Sequence, residues 1–312
     1  MIDFRYHLVS IVSIFLALAV GIVLGAGPLK EDIGTTLTSE VTRLREDRTQ
    51  LRSQLEEADR AAKARDDFTE ASNKSLLASR LQDASLSVVV LPGADANLVK
   101  ATTSTLAASG AKIGSTVTVL DSWVDPDKET FRSTLGDQLA SGVQVPLDED
   151  GNVIDAVLAR ALLTKAGGNG TGATAALEGL RTGELIRYTP DDITAATGAV
   201  IIGGPVSGDT AEERTARAEG LSRLAGALDA AGSGAVLVSQ APDSADSTQA
   251  SVVSVARQDA DQSKQLSTVD HGTLPMGQAS VVFALLEQFA GNAGQYGLEA
   301  DATAAFPALA TK

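Results

Sequence analysis

Ser239, Asp270 and His271 are of the residue types that hydrolyse esters and peptides when they meet in one site. In such enzymes a histidine accepts the serine proton and a carboxylate orients the histidine. Ser239 ends the run AVLVSQAP but stands outside a Gly-x-Ser-x-Gly motif. Asp270 and His271 are adjacent in sequence, and nothing in their spacing places them near that serine. We therefore predict no catalytic residues and a protein that is not an enzyme.

The ligand types present in the chain limit its metal chemistry. The sequence has no cysteine, which excludes disulfides, cysteine nucleophiles, thiolate zinc sites and iron–sulfur clusters. Asp121, Asp125 and Asp127 form an acidic loop that would attract a hard cation, but they lack the spacing of an EF-hand. A solvated loop is the better interpretation, and we predict no metal-binding residues there.

The segment GGPVSGDT, residues 203–210, follows a predicted strand where α/β proteins often bind phosphate. It lacks the Gly-x-Gly-x-x-Gly spacing and has no P-loop lysine. Thr210 and Glu213 instead match a helix capping box, and Glu212 adds a carboxylate that would repel phosphate. The segment therefore indicates a turn and a helix cap, and we predict no cofactor.

Charge and composition exclude one class of partner. The 312-residue chain has a net charge of −15 and a pI near 4.5, so nucleic acid would be repelled. Aromatic residues make up only 4% of the chain, and much of the apolar share is alanine and valine. This composition suits the packing of small residues in an α/β fold, and we predict no nucleic-acid partner.

We assign residues 81–312 to one domain, here called the α/β domain, which positions Ser239, Asp270, His271 and the acidic loop. Four β-branched runs, SVVVLPG, STVTVL, GAVIIGGP and AVLVSQAP, predict strands, and a last strand is expected near 266–269. Helices are predicted near residues 96–109, 128–139, 153–165, 211–231 and 277–289. This alternation predicts a mostly parallel, Rossmann-like sheet with helices on both faces.

An apolar segment at residues 8–27 carries no charge over about twenty residues, the length at which a helix spans a bilayer. A cleaved signal peptide is the alternative, but its apolar run is usually only about 7–15 residues. Arg5 precedes the segment, whereas Lys30 after it is followed by two carboxylates, so the N-terminus is predicted to be cytoplasmic. We predict a single-pass protein of the cytoplasmic (inner) membrane, with residues 1–28 as flank and anchor.

Small residues recur every four positions along this membrane segment, at Ser13, Ala17, Gly21 and Gly25. Such a stripe lets two membrane helices approach closely. The alternative is that the spacing is accidental, because small residues are common in membrane helices. We predict that the stripe pairs the anchors of a homodimer.

Residues 29–80 are polar, charged and helix-favouring, and we predict that they form a coiled-coil stalk. Its seam follows a heptad spacing and comprises Leu37, Val41, Leu44, Arg48, Leu51 and Leu55. A helix over residues 33–79 would be about 70 Å long, too long for one small domain to cover. The alternative is a solvated helix packed on its own domain. The seam is predicted to pair two copies or to bind a partner.

Four features resemble the actinobacterial MctB family across the full architecture. They are the opening MIDFRYHLV, the apolar run ending in LALAVGIVLGAGPL, the charged heptads, and a tail with STVD and LLEQFAGNAGQYG. Some members are called copper transporters, and others, the SteB-like ones, are linked to cell-wall hydrolysis at cell separation. The resemblance to the latter implies an envelope protein whose coiled coil binds a cell-wall hydrolase or its regulator. The alternative is copper transport, efflux or homeostasis.

Direct copper binding depends on the soft ligands available. Cu⁺ prefers thiolate, thioether or imidazole ligands, and the chain offers only Met1, Met276, His7 and His271. The two histidines are far apart in sequence, and one apolar helix cannot enclose a pore. We therefore predict no copper site within one chain, so that any copper handling requires an assembly or an indirect effect.

Overall fold

A computed structural model of the chain describes residues 4–26, 28–146, 153–165, 172–191, 193–240 and 250–308. The chain divides into two compact units, Met1–Arg65 and Asp66–Lys312, here called the N-terminal and C-terminal units. The finer division into anchor, stalk and α/β domain stays a prediction.

Two long helices begin the chain. Helix α1 spans Phe4–Ala26 and helix α2 spans Pro28–Leu76. The segment Phe4–Gly25 has a mean hydropathy of 2.8 and is unburied, and among the described residues it is the one helix long and apolar enough to cross a membrane. A helix that is apolar on all sides is typical of a membrane span, so α1 is consistent with a single-pass membrane protein.

The C-terminal unit is built on a seven-stranded sheet of order β3-β2-β1-β4-β6-β8-β9, with β5 and β7 forming a separate two-stranded sheet. All neighbouring pairs in the large sheet are parallel except β2 and β3, which are antiparallel. The strands are β1 Ser85–Val90, β2 Lys112–Val119, β3 Ile186–Thr189, β4 Gly198–Ile202, β5 Pro205–Val206, β6 Ala235–Val238, β7 Ala250–Ser251, β8 Ser267–Val269 and β9 Gln295–Tyr296. The predicted mostly parallel α/β sheet is therefore confirmed.

Helices cover both faces of this sheet. They are α3 Ala96–Ala108, α4 Glu129–Ala140, α5 Val153–Leu162, α6 Ala173–Thr182, α7 Ala211–Ala231, α8 Val252–Gln258 and α9 Pro275–Phe289. An apolar cluster lies on each face of the sheet. On β1, Val89 faces the cluster that includes α5 to α8, and its neighbour Val88 faces the cluster that includes α3 and α9. Successive strand residues point to opposite faces, so strands buried on both sides read as continuous β-branched runs.

The predicted helix bounds agree closely with these elements, but several short elements were missed. The prediction for α7 matches its observed bounds, because Thr210 caps its start and Gly232 follows its end. Elements absent from the prediction are α6, α8 and the strands β3, β5, β7 and β9. The four missed strands have four residues or fewer and are defined by pairing with a neighbouring strand more than by their own composition.

Candidate functional site

The two tail motifs STVD and GQYG meet in the C-terminal unit. The first contains β8 and the second contains β9, and these strands are parallel neighbours that pair Thr268 with Gln295 and Val269 with Tyr296. Helix α8 packs against β8 and supplies Arg257. The motifs that carry the family resemblance therefore contribute to one polar cluster, here called the tail cluster. Its members are the buried Arg257, Thr268, Asp270, His271 and Gln295, the half-buried Glu299 and the exposed Asp301.

Arg257 holds the tail cluster together. Its Nε donates to Thr268 Oγ1 at 2.8 Å and its Nη2 donates to the Tyr296 carbonyl at 2.8 Å. Its Nη1 donates to Asp270 Oδ2 at 2.9 Å and to Asp301 Oδ1 at 2.5 Å. The guanidinium side chain is only 2% exposed. One cation thus joins α8, β8, β9 and the segment that follows β9.

Asp270 is the fully buried partner of this cation. Its two oxygens also accept the amides of Leu298 at 2.8 Å and Glu299 at 3.3 Å. Burial acts to raise the pKa of Asp270, but contacts with His271, the Leu298 amide and Arg257 outweigh it and lower that pKa to about 2. Gly297 permits this approach, since a Cβ there would lie 1.8 Å from Asp270 Oδ2.

Two members of the tail cluster keep unpaired atoms. His271 is buried, with Nδ1 at 3.3 Å from Asp270 Oδ1, yet neither ring nitrogen has a hydrogen-bond partner in the described part of the chain. Glu299 accepts from Ser254 Oγ through Oε2 at 3.2 Å, while its buried Oε1 has no such partner. Burial, followed by the charges of Asp270 and Asp301, raises the pKa of Glu299.

This arrangement fits copper poorly. Asp270, Glu299 and Asp301 each place one oxygen within 4.8 Å of the others, and an imidazole with carboxylates suits Cu²⁺ or Zn²⁺ better than Cu⁺. Arg257, however, already pairs with two of the three carboxylates. A cation would have to displace that guanidinium, so the tail cluster is better suited to fasten residues 298–301 to β8 than to hold a metal.

Ser239, Asp270 and His271 do not form a hydrogen-bonded hydrolytic triad. Ser239 follows β6 and His271 follows β8, its parallel neighbour, so the fold brings both to the same edge of the sheet. Ser239 Oγ, however, has no hydrogen-bond partner among the described residues, so it is not bonded to His271. The contact that forms is between His271 and its sequence neighbour Asp270.

The predicted helix cap after GGPVSGDT is confirmed. Thr210 Oγ1 accepts the Glu213 amide at 3.1 Å, and Glu213 Oε2 accepts the amide of Asp209 at 2.9 Å. In Rossmann-type sheets a dinucleotide binds between the loops that follow two neighbouring central strands, here β1 and β4. In this chain the backbones of those two loops touch each other. A Cβ at Gly204 would lie 1.9 Å from the Gly93 carbonyl oxygen, and one at Gly93 would lie 2.4 Å from that of Pro205.

The acidic loop after β2 is organised by its own backbone. Asp125 accepts the Asp127 amide at 3.1 Å and caps a short 3₁₀ turn, while Asp121 begins another such turn. Within the described residues, these three aspartates do not form a group of ligand atoms close enough to share a cation.

The predicted pairing residues lie on the two N-terminal helices. All six seam residues are helical and exposed in the single chain: Leu37, Val41, Leu44, Arg48, Leu51 and Leu55. In α1, Ser13 Oγ donates to the Val9 carbonyl at 2.8 Å, and a Cβ at Gly21 or Gly25 would meet no atom within 4 Å. Both surfaces are thus open in one chain, and their pairing stays a prediction, together with the homodimer.

Sequence reasoning missed Arg257, Glu299 and Asp301, although it noted Asp270 and His271. Arg257 lies in a seven-residue helix that the periodicity did not indicate, and its acidic partners lie 13 and 44 residues further along. The signal that would have found them is the pair of tail motifs, since STVD and GQYG flank the contacts that Arg257 makes.

Comparison with known proteins places this architecture in one family. Residues 1–307 match the family model described as "Copper transport outer membrane protein, MctB". The chain is 28% identical over 316 residues to "Copper transporter MctB" of Mycobacterium tuberculosis and to that of Mycobacterium bovis, covering 95% of this chain and 96% of each relative. It is 29% identical over 323 residues to the Mycobacterium leprae protein of that name, covering 97% and 98%. The chain belongs to the MctB family.

Proposed function

We propose that this protein takes part in copper transport at the cell envelope, with copper as its cargo. The observation that carries the proposal is the family match across residues 1–307, since the relatives reported above are named copper transporters and align over almost their whole length. The comparisons give no support to the expected role in cell-wall hydrolysis. That role is therefore the competing outcome of the test below.

The proposed location is the cytoplasmic membrane, with the N-terminus inside and the C-terminal unit outside. Support comes from the apolar helix Phe4–Gly25 and from Arg5 on its leading side. A reporter that works only outside the membrane should be active when fused after Lys312 and inactive when fused before Met1. Activity of the C-terminal fusion in the cytoplasm would contradict this topology.

The proposed mode of action is non-enzymatic and depends on association. A single chain supplies few soft ligands, since it has no cysteine, two methionines and two histidines. Copper would therefore be handled by an assembly of this protein with itself or with a partner. The exposed apolar seam on α2 supports such an assembly, because large apolar side chains repeated at heptad spacing favour a partner helix.

Deleting the gene separates the two family functions. The deletion strain should grow less well than its parent at raised copper, and the wild-type gene should restore growth. A strain with normal copper tolerance that forms chains or septates abnormally would instead support regulation of cell-wall hydrolysis. Complementation with Arg187→Gln provides a control, because this side chain is exposed on β3 and lies outside the predicted pairing residues.

A further inference from the structure

A cavity of about 330 Å³ lies within the C-terminal unit, beside the loop that follows β2. Trp123 and Pro126 of that loop, Ile154 of α5 and Ala216 of α7 contribute its apolar walls. Its volume lies within the roughly 300–1,000 Å³ of small-molecule sites. Ligands of open α/β sheets bind beyond the carboxyl ends of the strands, which is where this loop begins.

Three guanidinium groups line the cavity. Arg132 is fixed by two backbone carbonyls of the loop, and its pKa is lowered by burial. Arg217 pairs with Glu213 at 2.6 Å, but its buried Nε has no hydrogen-bond partner among the described residues. Arg223 is exposed at the cavity mouth and makes neither a hydrogen bond nor an ion pair with any described residue. The cavity therefore contains donors that the protein itself leaves unused.

Three carboxylates, Glu129, Asp155 and Glu213, also line the cavity, but none forms an ion pair with Arg223 in the described part of the chain. Asp155 is buried and accepts the Trp123 indole N–H at 2.9 Å. Burial raises the pKa of Asp155 to about 6, against the opposing effects of Trp123, Arg223 and Arg132. Arg132 faces Glu129 and Asp125 as well as Asp155, whereas Arg217 Nε and Arg223 have no direct acceptor among the described residues.

We propose that this cavity binds a small organic anion, whose carboxylate or phosphate group is held by Arg217 and Arg223 and whose remainder lies against Trp123. A guanidinium fork binds either kind of oxyanion with two parallel hydrogen bonds. Such a ligand would supply the missing acceptor for Arg217 Nε and a counter-charge for Arg223. This site goes beyond copper transport and does not depend on it.

Fluorescence of Trp123 gives a direct assay, because it is the one tryptophan of the chain. The full chain in detergent is titrated with succinate and with inorganic phosphate, each against sodium chloride of equal ionic strength, and calorimetry gives an independent measure. At least one anion should produce a saturable change. Arg217→Gln and Arg223→Gln should each weaken that binding at least ten-fold.

Two further variants separate charge from shape. Ala216→Phe keeps every charge but fills part of the cavity, and it should abolish binding. Arg187→Gln removes the same charge from the exposed face of β3 and should leave the affinity unchanged. Saturation by succinate alone identifies a carboxylate ligand, and saturation by phosphate alone identifies a phosphate ligand. Absence of binding by both methods, or equal weakening by Arg187→Gln and Arg223→Gln, overturns the proposal.

Discussion

Replacing Arg257 with methionine tests how much the tail cluster contributes to folding. The change keeps an unbranched apolar stem but removes four hydrogen bonds and the cation that faces Asp270. Removing one partner of a buried ion pair costs about 3–5 kcal/mol, because the other charge is left uncompensated. Arg257→Met should therefore lower the free energy of unfolding by about 3–5 kcal/mol, a large part of the roughly 5–15 kcal/mol typical of a domain.

The pH dependence of stability provides a second measure of the same cluster. The pKa of Asp270 is lowered from 3.8 to about 2 in the folded chain, which corresponds to roughly 2 kcal/mol. Because the pKa of Asp270 is lower in the folded chain than in the unfolded chain, its ionised form stabilises the fold at any pH above about 4. This contribution is lost as the pH falls from about 4 to about 2. In Arg257→Met the carboxyl loses its cation and takes up a proton at higher pH. The penalty of the substitution should therefore shrink as the pH is lowered from 7 toward 3.

Urea unfolding of the full chain in detergent, followed by Trp123 fluorescence, measures these differences without screening the ion pairs. Asp270→Asn completes a double-mutant cycle with Arg257→Met, and the coupling energy should be about 2 kcal/mol or more. Arg181→Met is the matched control, since its pairing with Glu178 is exposed and worth only about 0–1 kcal/mol. A loss below about 1 kcal/mol for Arg257→Met, or additive single effects, would refute the reasoning.

Three further predictions concern association and copper. Leu44→Asp combined with Leu51→Asp should abolish cysteine crosslinking along α2 and in-cell function, while the melting temperature of the C-terminal unit stays unchanged. Unfolding of that unit would mean that the seam of α2 packs on it. Arg48→Leu should strengthen self-association, measured by crosslinking yield, because a basic residue in an apolar seam weakens pairing. His271→Ala should leave the Cu⁺ affinity of the full chain unchanged, and a tight stoichiometric site lost in that variant would rescue direct copper binding.

The sequence predicted the fold wherever the local signal was strong. Strands β1, β4 and β6 lie between two helical layers, so they read as short β-branched runs. Helix α7 was bounded correctly because a capping threonine and a following glycine mark its ends. By contrast, β9 has two residues and β3 has four, and both are defined by pairing with a neighbouring strand more than by their own composition.

The two polar sites could not be predicted because both depend on long-range contacts. Asp155 reads as an ordinary polar position on a short helix, yet the fold buries it against Trp123, 32 residues earlier. Arg257 meets Tyr296 and Asp301 across 39 and 44 residues of intervening chain. Burial of a charged side chain carries no local sequence signal, because it is decided by which elements pack over it.

The structural role of the tail cluster affects how copper ligands are to be sought in this family. Asp270 and His271 attract attention as ligand types, but Asp270 is occupied by Arg257 and by two backbone amides. Under the proposed copper function, a substitution at Asp270 would therefore impair copper tolerance by destabilising the C-terminal unit, even if no ion ever bound there. The double variant Arg257→Met with Asp270→Asn removes both charges together and retains more stability than the single changes predict. If the double variant is folded and restores copper tolerance, the residues that handle copper lie outside the tail cluster. If it is folded and the strain stays sensitive to copper, those residues lie within the cluster.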